Sequence, residues 1–249
     1  MAGKSQQDAQ EYYMMLVDKL HETIEPATDS KGRCHCFFHK AFFGRLQSEV
    51  TCDGCGTVSR TQDPFSAISL DFQKRVKRKK KAVVKMSDSA IPDLHSALPN
   101  YTSPEVLPAE EYTCRGCNAP KSASKRLRIR KLPAILCIQV KRFGGRMAGG
   151  SYLQEKHEGK IDFPLTIDME PYTARKKSHK AESLVYDLES VIVHHGQQLQ
   201  NGHYFAFCRQ SDKWYKFDDE IVQVSTTEEV LRQEAYLLFY SLRCLDALS

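Results

Sequence analysis

The chain has 249 residues, 41% hydrophobic and 27% charged, which suits one or two globular domains with a sizeable core. No apolar run approaches the ~18–20 residues of a membrane helix. The start is polar, unlike a secretory signal, and Ala2 stands where N-myristoylation needs Gly, so a membrane, collagen-like or wholly disordered protein is not expected.

The net charge of +5 is local, because residues 74–85 hold eight Lys and Arg and no acid. Without that run the balance is −3, so the basic segment reads as a graft on a mildly acidic domain. It is a solvated insertion, a nuclear import signal or a nucleic-acid contact. A nucleic-acid binder spreads its charge over one face, so nucleic acid is not expected as the primary partner.

In chain order, Ser5 followed by Asp8 matches a capping box that opens a helix. Ala9, Tyr12, Tyr13, Leu16, Leu20 and Ile24 then recur at helical steps, which predicts one buried face. Pro26 and the cluster at 29–32 end that helix. Residues 37–70 read as short strands interrupted by a cysteine pair. The segment 73–110, with Pro92, Pro99, Pro104 and Pro108, reads as loop with one short helix around Leu94. Strands are predicted at 127–129 and 134–140, the second fully buried. The Gly-rich 144–151 and polar 169–183 read as loops. Strands at 184–194, 204–208, 214–217 and 236–242 make the end of the chain β-rich.

The nine cysteines are an odd number without an export signal, which favours a reducing compartment over a disulfide framework. Four form two Cys-x-x-Cys pairs, Cys52 with Cys55 and Cys114 with Cys117, each with Gly at the third position. A tight turn of this kind brings two sulfurs to ~2.3 Å from one ion. Two such pairs point to one tetrahedral four-cysteine zinc site, with buried free thiols or redox pairs as the alternative. The 58 residues between the pairs exceed a compact finger and predict a long excursion.

Asp218 follows His203 by fifteen residues. With 209–213 as a hairpin turn, the two stand directly opposite, where Cβ atoms lie ~4.5–5.5 Å apart. A carboxylate there fixes the imidazole tautomer and supports the imidazolium formed when His takes a proton. Solubilising His and Asp at strand ends are the other reading of the same residues.

Gln6-Gln7-Asp8-Ala9-Gln10-Glu11-Tyr12, the paired knuckles, Val140-Lys141-Arg142-Phe143, Asn201-Gly202-His203-Tyr204 and Trp214-Tyr215-Lys216-Phe217-Asp218-Asp219 occur in that order. Together they resemble the ubiquitin-specific proteases, the papain-like cysteine deubiquitinases. The resemblance implies an α+β, antiparallel β-rich catalytic fold. It would place the last thumb helix at 5–25, zinc-ribbon fingers at 34–72 and 111–132, an insertion at 73–110, and the palm at 133–243. It implies His203 as general base, Asp218 as its orienting partner, and Asp219 as an aid to the chemistry or the oxyanion. Asp8 and Glu11 match acidic positions that pair with arginines of the ubiquitin tail. Capping is an equal alternative for Asp8. Gly202 and Tyr204 belong to the substrate-binding stretch, and 196–202 and 144–150 would be loops near the tail.

Cys34-His35-Cys36-Phe37-Phe38-His39, with Gly44–Ser48 and Thr61–Phe65, is similar to the SAGA-coactivator branch, which removes ubiquitin from histones in the nucleus. Ubiquitin, a ubiquitinated protein such as a histone, and coactivator subunits are the implied partners; the nucleus is the implied compartment, with the cytoplasm as alternative. Cys34, Cys36 and His39 form a possible second metal site, with packing or incidental thiols as the alternative. The family's cysteine box lies upstream of the Gln-Gln-Asp motif, and none of the nine cysteines has its surroundings, so the nucleophile is expected to be missing and the chain inactive alone. A fragment of a full enzyme, a non-catalytic ubiquitin-binding relic and an enzyme completed by another chain's cysteine remain open. A zinc-ribbon nucleic-acid binder is a further alternative.

Overall fold

The computed structural model describes residues 7–24, 28, 29, 34, 36–72, 92–148, 151–174, 184–198 and 201–244. The basic run and Ser5 lie outside the described residues. Four α-helices, α1 (Ala9–Glu22), α2 (Phe37–Phe42), α3 (Leu94–Thr102) and α4 (Thr227–Leu231), and a 3-10 turn at Glu170–Tyr172 accompany sixteen strands among those residues. None of these helices is long and apolar enough to cross a membrane.

A four-stranded sheet carries the first cysteine pair. Its order is β2-β1-β7-β4, from β1 (Gly44–Cys52), β2 (Val58–Phe65), β4 (Glu105–Leu107) and β7 (Ala123–Lys131). The short hairpin β5 (Thr113–Cys114) and β6 (Ala119–Pro120) carries the second pair. Between the pairs the chain does make the expected excursion: β3 (Ala67–Leu70) leaves to pair parallel with β8 (Ile135–Val140) in a larger sheet.

That eight-stranded sheet runs β15-β14-β13-β12-β16-β8-β3, with β11 (Thr166–Asp168) paired beside β13 on β12. Its other strands are β12 (Val185–Gln198), β13 (Asn201–Gln210), β14 (Lys213–Asp218), β15 (Ile221–Ser225) and β16 (Ala235–Leu242). β8 and β16 are covered on both faces, which is why they read as continuous apolar runs. On one side Leu136, Ile138, Leu238 and Tyr240 join the main core with α3. On the other, Cys137, Tyr236 and Leu237 meet Ala9 and Tyr13 of α1.

Four sequence expectations change. The cap of α1 is Asp8, whose Oδ1 accepts from the backbone N–H of Gln10 and Glu11 at 2.9 Å each. Its inward line is Ala9, Tyr13, Val17 and His21, whereas Tyr12, Leu16 and Leu20 are exposed. Residues 37–42 are helical rather than extended, because Cys36 caps them and Phe38 stacks on Phe42 one turn later. Most of the Gly-rich 144–151 is strand rather than loop: β9 (Phe143–Ala148) and β10 (Ser151–Lys156) pair antiparallel through backbone bonds that need no side chain, with 149–150 outside the described residues.

Arg142 explains one motif physically. It is 2% exposed, and its guanidinium donates to the carbonyls of Ala235 (2.7 Å), His157 (3.1 Å) and Gly159 (2.9 Å). Burial holds its pKa below the usual arginine value. Arg142→Ala leaves those carbonyls without their charged donor and should cost about 3 kcal/mol, measured by urea unfolding. A loss below about 1 kcal/mol would mean water replaces the guanidinium fully.

Candidate active site and metal clusters

Strand parity builds the site. β12 pairs with β13 so that His195 faces His203 and His194 faces Tyr204. Side chains alternate along a strand, so His203, Phe205 and Phe207 share one face while Tyr204, Ala206 and Cys208 share the other. The β13–β14 turn is tighter than expected. Gln210 pairs with Lys213, Ala206 with Phe217, and Ser211 takes a positive φ of 57° in the two-residue turn. Asp218 is therefore not directly opposite His203. It sits two positions on, a diagonal neighbour on the same face, and its Oδ1 still meets His203 Nε2 at 2.5 Å.

A carboxylate only accepts, so this contact places the neutral ring's proton on Nε2 and leaves Nδ1 as the basic nitrogen. Lys216 Nζ lies 2.7 Å from Asp218 Oδ2 and 4.5 Å over the Phe205 ring. The Lys216 ammonium first, then His203, hold the Asp218 carboxyl below the usual carboxylate range. Asp219 occupies the next turn with φ 51°, and its carboxylate falls in one cluster with His203 and Asp218.

Asp8 is buried and fully engaged: beyond the two helix N–H groups, its Oδ2 accepts from the hydroxyl of Tyr236. Gln139 donates to Tyr236 Oη at 3.1 Å, and Ser69 donates to Gln139 at 2.6 Å, so α1 is tied through β16 and β8 to β3. Glu11 is exposed. Gly202 is required sterically, since a Cβ would come within 2.5 Å of the His195 carbonyl and 2.6 Å of His194 Nε2. The stretch 196–202 is the end of the β12–β13 hairpin rather than a free loop, with 199–200 outside the described residues.

Sequence reasoning missed His194, 2% exposed, packed on Phe143 and Tyr204 with its pKa lowered by burial first. It also missed Lys156, which donates to the carbonyls of His194 (3.2 Å) and Gly196 (2.6 Å). Alternation in β12 hinted at His194. Nothing local marked Lys156, which arrives from a separate hairpin.

The cysteine pairs converge. Cys52 and Cys117 sulfurs lie 3.9 Å apart and Cys55 and Cys114 3.6 Å, against the about 3.8 Å of a tetrahedron with ~2.3 Å metal–sulfur bonds. Gly54 N–H points at Cys52 Sγ (3.3 Å) and Cys117 N–H at Cys114 Sγ (3.4 Å). Of the third-position glycines, Gly116 serves space rather than backbone handedness: a Cβ there would stand 2.5 Å from Thr57 Oγ1 and 3.2 Å from Cys55 Sγ. The left-handed residues are the next ones along, Gly56 (φ 72°) and Asn118 (φ 51°). Hydrogen bonding, from Thr57 first, lowers the Cys55 thiol to about 6, while hydrogen bonds, from Cys55 first, push Cys117 up to about 12. The donor set fits a tetrahedral thiophilic ion.

A second four-residue cluster joins His21 to Cys34, Cys36 and His39. Cys36 caps α2, one turn before His39, so these residues are not on one strand and can face a common centre. Cys36 Sγ lies 3.3 Å from His39 Nδ1, and Cys34 Sγ 3.5 Å from His21 Nε2. His21, supplied by α1, was not foreseen.

No cysteine stands as a partner for His203. Cys208 points to the opposite face and contacts Ser190 (3.3 Å), and Cys137 is buried in β8, its thiol pushed up by burial. Cys244 follows β16, whose Leu242 pairs with Tyr186, far along β12 from His195. The other six belong to the two clusters.

A His–carboxylate pair with the second nitrogen free has the geometry of the base-and-orienter half of a nucleophilic hydrolase. The comparisons give the class a family. The sequence profile described as "Ubiquitin carboxyl-terminal hydrolase" matches residues 1–240, and the chain belongs to that family. It is 35% identical over 259 residues to ubiquitin carboxyl-terminal hydrolase 8 of Saccharomyces cerevisiae, covering 98% of this chain and 51% of that protein. Against human ubiquitin carboxyl-terminal hydrolase 3 it is 34% identical over 262 residues, covering 96% and 49%. Among solved structures, the SAGA Ubp8/Sgf11/Sus1/Sgf73 DUB module bound to ubiquitin aldehyde aligns with a TM-score of 0.77 at 34% identity. That match covers 97% of this chain and 50% of the other. The chain thus spans about half the length of the relatives it matches, and shares their α+β, β-rich fold.

Because the carboxyl of Asp218 titrates low, its contribution to stability is present above the ordinary carboxylate pKa and is lost as pH falls through the depressed value. NMR titration should find that low midpoint, and Lys216→Ala should raise it. An unchanged midpoint in that variant would remove Lys216 as the main cause.

Proposed function

We propose that this chain carries the base half of a cysteine-type deubiquitinase that hydrolyses the isopeptide bond after the terminal glycine of ubiquitin. The 2.5 Å contact between His203 Nε2 and Asp218, in a chain of this family, carries the reading. The nucleophile is assigned to a segment outside these 249 residues, because all nine cysteines are placed elsewhere or face away. His203 Nδ1 takes the thiol proton, and the thiolate adds to the glycine carbonyl. The imidazolium then protonates the departing lysine amine, leaving a thioester on the cysteine. Water, deprotonated by His203, breaks that thioester and returns the thiol. Asp218 keeps the ring oriented and stabilises its charged form, and Asp219 supports the charge developing nearby.

Glu11, Gly202 and Tyr204 are assigned to the channel for the ubiquitin tail, with Asp8 acting by anchoring α1 beside Tyr204. Cys52, Cys55, Cys114 and Cys117 are assigned a structural zinc ion, and His21, Cys34, Cys36 and His39 a second. Bound zinc supplies cross-linking rather than chemistry, joining segments distant in sequence. The fingers, palm and thumb-helix boundaries given above are retained as the domain assignment. A histone substrate, coactivator subunits as partners and a nuclear location follow from the likeness to the SAGA module chain.

Metal analysis of the purified chain should return two zinc ions, and His21→Ala with Cys36→Ser should leave one. A single ion in the unaltered chain would remove the second site. Exposure to ubiquitin bearing a thiol-reactive C-terminus, read by intact mass, should label no cysteine, while ubiquitin itself binds reversibly. A one-ubiquitin adduct abolished by His203→Ala would overturn the assignment of the nucleophile elsewhere, and absence of any ubiquitin binding would overturn the ubiquitin reading.

A further inference from the structure

The outer edge of the large sheet is unguarded. β15 is its last strand and pairs only with β14 among the described residues. Ile221, Val222 and Val224 are 58%, 55% and 73% exposed. Edge strands are normally blunted by charge, and β2, an edge of the smaller sheet, is blunted by Arg60 and Asp63. β15 instead offers β-branched aliphatic residues on both faces together with a free row of backbone donors and acceptors, the usual template for an added strand.

Charge selects the occupant. Asp218, Asp219 and Glu220 precede the strand, and Glu228 and Glu229 follow it. Three basic groups stand nearby, Lys213, Lys216 and Arg232; Lys216 is committed to Asp218 and Arg232 faces Glu228, which leaves the acids in excess. A second copy pairing antiparallel on β15 would bring the acidic turn before the strand, Asp219 and Glu220, towards the Glu228–Glu229 end of its partner, a repulsive arrangement. An extended segment with an aliphatic centre and lysine or arginine ends matches both features. Location matters too: Ile221 pairs with Asp218, so the edge begins one turn from the carboxylate that holds His203.

We propose that the β15 edge binds a basic, extended peptide as an added strand, and that this peptide is the substrate chain flanking the modified lysine. The role as substrate rests on the deubiquitinase reading above; the binding does not.

The test uses the zinc-loaded chain and a fluorescent synthetic peptide with a valine-threonine centre between lysine ends. Binding followed by anisotropy should weaken with salt and vanish for a peptide with proline at its centre. Glu220→Lys with Glu228→Lys should weaken it about tenfold, with circular dichroism confirming an unchanged fold. Hydrogen exchange of the Ile221–Ser225 amides should slow on binding. Equal affinity for a glutamate-ended peptide, no loss with central proline, or unaltered exchange in β15 would each overturn the proposal. So would self-association through β15 that the peptide does not displace. Peptide binding without ubiquitin binding sinks the deubiquitinase reading and with it the substrate role, leaving the added-strand site, and the reverse sinks the added-strand site alone.

Discussion

The antiparallel register of β12, β13 and β14 is the constraint from which the site follows. With a side-chain period of two, one residue of slippage would send every group to the other face. In the observed register His203 and Asp218 share a face, Cys208 is turned away, and His194 and Tyr204 meet beneath α1. The two-residue turn at Ser211 shifts the pairing from direct to diagonal without changing parity. The His–Asp contact tolerates that shift because the diagonal neighbour is still within reach of an imidazole.

A buried polar chain then fixes α1 on this sheet. Asp8 both caps its own helix and accepts from Tyr236, which receives Gln139, which receives Ser69. Buried polar groups are costly unless paired, so the network specifies one docking position for the helix rather than a general hydrophobic contact. The opposing face of α1, with Tyr12, Leu16 and Leu20, stays exposed. Amphipathic periodicity reports that a face is apolar and does not report which partner covers it.

The two Cys/His clusters apply the same economy at a distance. Each collects donors from segments separated by many residues, 65 between Cys52 and Cys117 in sequence number, and brings them together beside the smaller sheet or at the start of α2. The long excursion between the cysteine pairs is tolerated because loop closure costs rise only slowly with length. It also threads β3 into the larger sheet, so the two sheets are covalently interleaved.

Much was legible in the chain itself. The paired Cys-x-x-Cys knuckles, the late run of strands and the buried strand at β8 are local patterns that spacing carries, whereas spacing suggests the His203–Asp218 pair in the wrong register and leaves it open without the family resemblance. The structure corrected what depends on partners distant in sequence. The buried line of α1 is Ala9, Tyr13, Val17 and His21 because the sheet beneath selects it. The Gly-rich stretch 143–148 and its neighbour 151–156 pair as strands because backbone pairing is indifferent to side chains. His21 joins Cys34, Cys36 and His39 only because α1 lies against α2. Residue type and short spacing therefore determined the chemistry available; which groups meet, and which faces remain open, was decided by packing between segments that no local pattern connects.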